Sequence, residues 1–157
     1  MRIKSLLACA LVAAAPLAGA QAQEARPVLT LATAKRIVAA ATAEAEKAKV
    51  HGTIAVVDAG GWPLVLERSD KSANIASAEI APGKARTAAL FGKPTADFEN
   101  AVNGPRAAVA TAGFLMMEGG LPIEIDGYVV GAIGVSAGTK QQDTQVAQAG
   151  LAALKQP

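Results

Sequence analysis

Asp126-Gly127 stands between two apolar runs, Leu121 to Ile125 and Tyr128 to Val135. A two-residue turn that needs positive φ at both central positions is well served by Asp-Gly, and its twist matches that of the strands it joins. The chain is therefore committed to an antiparallel hairpin near its end, and the rest of the fold has to be built around it. A second hairpin is predicted upstream: Thr53 to Val57, the turn Asp58-Ala59-Gly60-Gly61, then Trp62 to Arg68. Helical patterns surround the two hairpins. Leu31, Ala34, Ile37, Val38, Ala41 and Ala45 recur at helical spacing behind Thr30 as N-cap, and the helix runs to about Lys49. Ile75 to Leu90 is largely helical, with an interruption expected at Pro82-Gly83. Thr95 caps a short helix through Val102, and Gln141 to Leu154 closes the chain as a helix. Ala107 to Met117 is apolar enough for a strand or a helix, and its periodicity does not choose. The order helix, hairpin, helices, hairpin, helix gives an α+β class: an antiparallel sheet of about four or five strands with helices packed on it.

The N-terminus predicts the compartment. Arg2 and Lys4 precede the uncharged apolar run Leu6 to Ala15, and Ala18-Gly19-Ala20 and Ala20-Gln21-Ala22 are both A-x-A cleavage sites. This order is that of a secretory signal peptide over residues 1–22. The run is broken by Pro16 and falls short of the roughly 20 apolar residues that span a bilayer. Leu6-Leu7-Ala8-Cys9 is a weaker match to a lipid-attachment box, because cleavage there would cut the apolar run in its middle. The expectation is a periplasmic or secreted protein with no membrane insertion after signal removal. Residues 23–29 form a disordered lead-in, and residues 30–156 form one domain. Once Arg2 and Lys4 leave, the chain's 15 Lys and Arg fall into balance with its 13 Asp and Glu. A near-neutral domain argues against a nucleic-acid partner. Cys9, the sole cysteine, leaves as well, so neither a disulfide nor a thiolate site is expected.

Few side chains remain that suit chemistry. His51, the only histidine, follows the first helix and is either a heme-iron ligand or a general base, or else a capping or surface residue at the helix end. Glu79, Lys84 and Arg86 are charges inside an apolar helical stretch. Glu79 and Lys84 are five apart and do not stack on one regular helix face, but a break at Pro82-Gly83 would bring them together. They then hold an anionic or metal ligand, or form a surface ion pair. Met116 and Met117 offer thioethers to a heme, or fill the core. Asp143 near the start of the last helix binds a ligand or simply caps. The glycines at 127, 131, 134 and 138 fall on and around the last strand, not between a first strand and a helix, so they are no dinucleotide fingerprint. Close approach of backbone to a ligand or to another subunit explains them better.

Several of these segments, in this order, resemble the GlcG/HbpS family of heme-binding proteins. They are Val56-Val57-Asp58-x-Gly60-Gly61, Lys84-Ala85-x-Thr87-Ala88 with Phe91-Gly92, Gly119-Gly120-x-Pro122-Ile123, Asp126-Gly127, and Gly131-Ala132-Ile133-Gly134-Val135-Ser136-x-Gly138 through Gln142-Asp143. The chain is also similar to the C-terminal domain of PduO-type cobalamin adenosyltransferases. The resemblance runs from about Leu29 to Leu154. It implies a profilin-like layered domain, a homo-oligomer (dimer or octamer), heme as cofactor, and in one branch a redox-linked sensor accessory role. It places Glu79 and Lys84 where HbpS-like proteins carry an acid and a lysine tied to iron binding, with Pro82 where a second acid of that pattern would fall. His51 lies near the position of the heme-ligating histidine of PduO-type domains.

The reading that follows is a heme-binding module whose candidate site residues are His51, Glu79, Lys84, Met116 and Asp143, with His51 as the metal ligand. The alternative is a metabolic enzyme acting on a small hydroxy or oxo acid, with Glu79, Lys84 and Asp143 moving protons.

Overall fold

The computed structural model describes residues 26–155. The predicted signal peptide, with Cys9, lies outside the described residues. The chain runs α1 (Leu31–Ala48), β1 (Thr53–Asp58), β2 (Pro63–Arg68), α2 (Ser77–Phe91), α3 (Thr95–Asn103), a 3-10 helix (Ala107–Ala112), β3 (Gly120–Ile125), β4 (Tyr128–Ser136) and α4 (Lys140–Ala152), with a final 3-10 turn at Ala153–Lys155. One antiparallel sheet has the order β2-β1-β4-β3. The α+β layered fold is as expected. Its strands number four where about five were expected. The segment that periodicity left open supplies no fifth strand. Ala107–Ala112 is a 3-10 helix with no buried residue, and Gly113 ends it at φ 76. Its alanines have too little side chain to hold a strand against the sheet.

The two faces of the sheet are covered differently. Ile54, Val56, Ile133 and Val135 join Ile37 and Val38 of α1 and Val146 of α4 in the main core. Val57 and Ala132 point the other way and pack on Ala85, Ala88 and Ala89 of α2. This alternation is the period of two that a strand imposes. On the α2 face the side chains are small, and Gly134 shows why. A Cβ there would lie 2.1 Å from Ala81 O and 2.5 Å from Ala85 N. The helix backbone rests directly on the strand, and that close approach is the use of this glycine.

That contact also corrects the reading of α2. Pro82 lies inside the helix, and the helix runs through it unbroken. A proline in a helix interior removes one donor and costs about 3 kcal/mol. Burial of Ala81, Lys84, Ala85 and Ala88 on both sides of it holds the helix together. The expected break at Pro82-Gly83 is therefore absent, and so is the meeting of Glu79 with Lys84 that depended on it. Residues five apart fall about 140° from each other around a regular helix. Glu79 is exposed while Lys84 is buried.

The local expectations for α1 hold. Thr30 Oγ1 accepts from Thr33 N at 3.1 Å, the N-cap bond. Leu29, placed in the lead-in by the sequence, is only 3% exposed and belongs to the main core.

Candidate functional site

At the C-terminus of α1 the chain reverses without a glycine. Lys49 takes the left-handed conformation, φ 56, and its N–H donates to Glu46 O at 3.1 Å. Val50 N donates to Ala45 O at 3.0 Å, and Val50 is buried. This reversal lays His51 back over the last turn of α1. The His51 imidazole is 27% exposed, and its Nδ1 is 3.8 Å from Glu46 Oε1. Nδ1 is buried without a hydrogen-bond partner, the one such side-chain atom among the described residues. His51 lines a cavity of about 100 Å³ together with Asn74, Ser136, Ala137 and Gly138.

Lys84 and Asp143, predicted as ligand-binding groups, bind each other. Lys84 Nζ donates to Asp143 Oδ2 at 2.7 Å and to Val135 O at 2.8 Å. Asp143 Oδ1 accepts from Ala137 N at 2.8 Å and Gly138 N at 3.0 Å. The two side chains are 3% and 5% exposed. Gly119, at φ 114, roofs the pair: a Cβ there would lie 2.8 Å from Asp143 Cβ and 3.0 Å from Lys84 Nζ. A buried ion pair with both partners hydrogen-bonded tolerates its desolvation, and two of the three Lys84 ammonium donors and both Asp143 oxygens are committed within the fold. The structure thus places these two residues together in the interior, and neither lines the His51 cavity. Asp143 still matters to the cavity, because the N–H groups it holds, on Ala137 and Gly138, belong to the cavity wall.

Glu79 stands exposed on α2, and Met116 is half-buried in the irregular chain before β3. Neither lines the His51 cavity. Of the five residues singled out for ligand binding, His51 is the one that lines this cavity. A larger and more open hollow of about 690 Å³ lies between α1, β3 and α4, lined by Arg36, Ile125, Gln148, Leu151 and others. It holds no predicted site residue, and its rim carries the exposed charges Arg36, Glu124 and Asp126.

Glu46 and Asn74 were missed in the sequence, whereas Gly138, singled out there for close approach of backbone to a ligand or another subunit, does lie in the cavity wall. No turn glycine marks the reversal at Lys49, so nothing signals that His51 returns to Glu46. Further acid–base contacts join α3 to α4. Lys140 Nζ is 2.9 Å from Glu99 Oε1 and 3.5 Å from Glu118 Oε2. Among the described residues no group of three His, Cys, Asp or Glu could hold a metal ion, and no helix is long and apolar enough to cross a membrane.

Comparison with known proteins gives this arrangement its context. A family model described as haem degrading protein HbpS-like matches residues 29–152. Protein GlcG of Escherichia coli is 46% identical over 110 residues, 69% of this chain and 81% of GlcG. A crystal structure of a double mutant of HbpS from Streptomyces reticuli is 34% identical with a TM-score of 0.77, covering 90% of this chain and 98% of that one. The crystal structure of a PduOC:heme complex is 27% identical with a TM-score of 0.74, covering 81% of this chain and 95% of that one. The corrinoid adenosyltransferase PduO of Salmonella typhimurium is 30% identical over 124 residues, and the match spans 37% of its length. With a family match through nearly all of the described residues, and a sheet and helices laid out as in these relatives, the chain belongs to the HbpS-like family.

Proposed function

We propose that this protein binds heme and that the Nε2 atom of His51 is the iron ligand. The observation that carries the reading is the state of that imidazole. It is the chain's only histidine, one nitrogen is turned inward, and 27% of the side chain remains accessible at a cavity mouth. A neutral imidazole is a common ligand for heme iron. The heme complex of the related PduOC structure supports the choice of ligand class.

The residues fit the iron better than they fit the porphyrin. A cavity of about 100 Å³ receives an edge or a substituent and does not enclose a macrocycle, since pockets for ligands of that class measure about 300–1,000 Å³. A bound ring would therefore need a further wall beyond this cavity, which a second copy of the chain would supply. Exposed apolar side chains such as Trp62 and Ile75 suit a homo-oligomer, dimer or octamer. Residues 1–22 direct the chain to the periplasm or the medium, where it sequesters heme or serves a sensor as an accessory.

Hemin titrated into the purified protein tests the reading: a shifted Soret band saturating at a fixed ratio is expected, and its loss in His51→Ala. A free-hemin spectrum at stoichiometric ratio would reject it. Light scattering with and without hemin tests the oligomer, and the N-terminal sequence of protein recovered from the periplasm tests export. The alternative enzyme reading needs Glu79, Lys84 and Asp143 together, and those three are apart: two are bound to each other in the interior and the third is outside.

A further inference from the structure

The proposed ligand role leaves one feature of His51 unused. Its Nδ1 is buried and unbonded, and no wall of its cavity carries a negative charge: Asn74, Ser136, Ala137 and Gly138 are all neutral. The acid that approaches it is Glu46, with Oε1 at 3.8 Å, just beyond hydrogen-bond reach. The Glu46 side chain is 56% exposed, so a rotation closes that gap without disturbing packing. Its backbone, by contrast, is fixed, since Glu46 O accepts from Lys49 N in the turn that ends α1.

We propose that Glu46 is the positioning residue for His51. Its carboxylate accepts the Nδ1–H hydrogen bond, fixes the ring in the Nδ1–H tautomer, and leaves the Nε2 lone pair outward for a metal. Histidines that bind metals commonly donate their second ring N–H to a carboxylate or carbonyl, which sets the tautomer and raises the basicity of the ligating nitrogen. Here the inward burial of Nδ1, the carboxylate 3.8 Å away and the accessible remainder of the ring need only a turn of the Glu46 side chain to complete that arrangement. The inference deepens the heme reading and rests on it for the identity of the metal. The tautomer itself is a property of the protein without heme.

Two measurements separate the claims. The first is long-range proton–nitrogen NMR of the heme-free protein at about pH 8, where an ordinary imidazole is neutral. The wild type is expected as the Nδ1–H form, Glu46→Ala as mainly the Nε2–H form that imidazole prefers in water, and Glu46→Gln, which keeps an acceptor, as Nδ1–H. An Nε2–H wild type, or a tautomer unchanged in Glu46→Ala, overturns the assignment. The second is the reduction potential of the hemin-loaded protein. Removal of the carboxylate in Glu46→Ala raises it, and Glu46→Gln falls between. A His51-dependent hemin complex whose potential is identical in all three sinks the role of Glu46 while leaving heme binding intact. Failure of the wild type to take up hemin sinks the heme reading while the tautomer result stands.

Discussion

Lys84, through its partner Asp143, and His51 both adjoin the Ser136–Gly138 segment and meet opposite fates. Lys84 finds an anion 59 residues away in sequence and a backbone carbonyl besides, and it is sealed from water. His51 finds a carboxylate only five residues back, 3.8 Å off, and keeps part of its ring in solvent. Both are polar side chains in a chain with a strongly apolar interior. The difference is how nearly the fold saturates each. The Lys84–Asp143 pair has its charges matched inside the fold and contributes to it, whereas His51 has one nitrogen without a partner and keeps the rest of its ring within reach of a ligand. The same strand end serves both, since Asp143 holds Ala137 and Gly138 and the imidazole lines a cavity with them.

The largest test of this contrast removes one member of the saturated pair. Lys84→Ala or Asp143→Ala should lower unfolding free energy by about 3–5 kcal/mol in denaturant titration, because the remaining charge is buried alone. The double change Lys84→Met with Asp143→Leu should recover the buried-charge part of that loss, but not the hydrogen bonds that Asp143 accepts from Ala137 N and Gly138 N and that Lys84 donates to Val135 O. Single variants as stable as the wild type would refute the structural role of the pair. Next comes the wall between the two sites. A Cβ at Gly52 would lie 1.9 Å from Ser136 O and 2.4 Å from Ala137 Cα. Gly52→Ala should therefore cost about 1–3 kcal/mol in the same assay and should also weaken hemin uptake. Loss of stability with unchanged uptake would separate the wall from the site.

The unsaturated side should behave in reverse. His51→Ala should change stability by less than about 0.5 kcal/mol, yet abolish the Soret shift. The smallest effect belongs to a third, partly exposed cluster. The Glu118 N–H and then the Lys140 ammonium hold the Glu99 carboxyl below the usual carboxylate range. Its folded-state pKa is therefore depressed. The stability it contributes is present at neutral pH, above its unfolded value of about 4.3, and fades as pH falls through the folded one. Lys140→Ala should flatten the acid limb of a pH–stability curve slightly, and an unchanged limb would show the cluster to be inert.

Much of the fold was readable because its signals are local. The Asp126-Gly127 turn has φ of 52 and 78, as a type I′ turn requires, and joins β3 to β4. Thr30 caps α1 within three residues of its partner. The site was readable only in part. His51 stood out as the sole histidine, but nothing in the sequence marks the reversal at Lys49 that brings it to Glu46. Glu79 and Lys84 were paired on the strength of Pro82 and Gly83, whose local preference for a break is real but is outweighed by the burial of α2 on β4. Met116 carried no signal beyond its residue type.

By itself, then, the sequence determined the hairpins, the cap of the first helix and an α+β order, because turn geometry, capping and periodicity act over a few residues. Tertiary structure alone decided which polar groups are spent and which are free. That choice depends on what lies across the sheet, and the partner of a buried charge is set by packing between segments far apart in the chain.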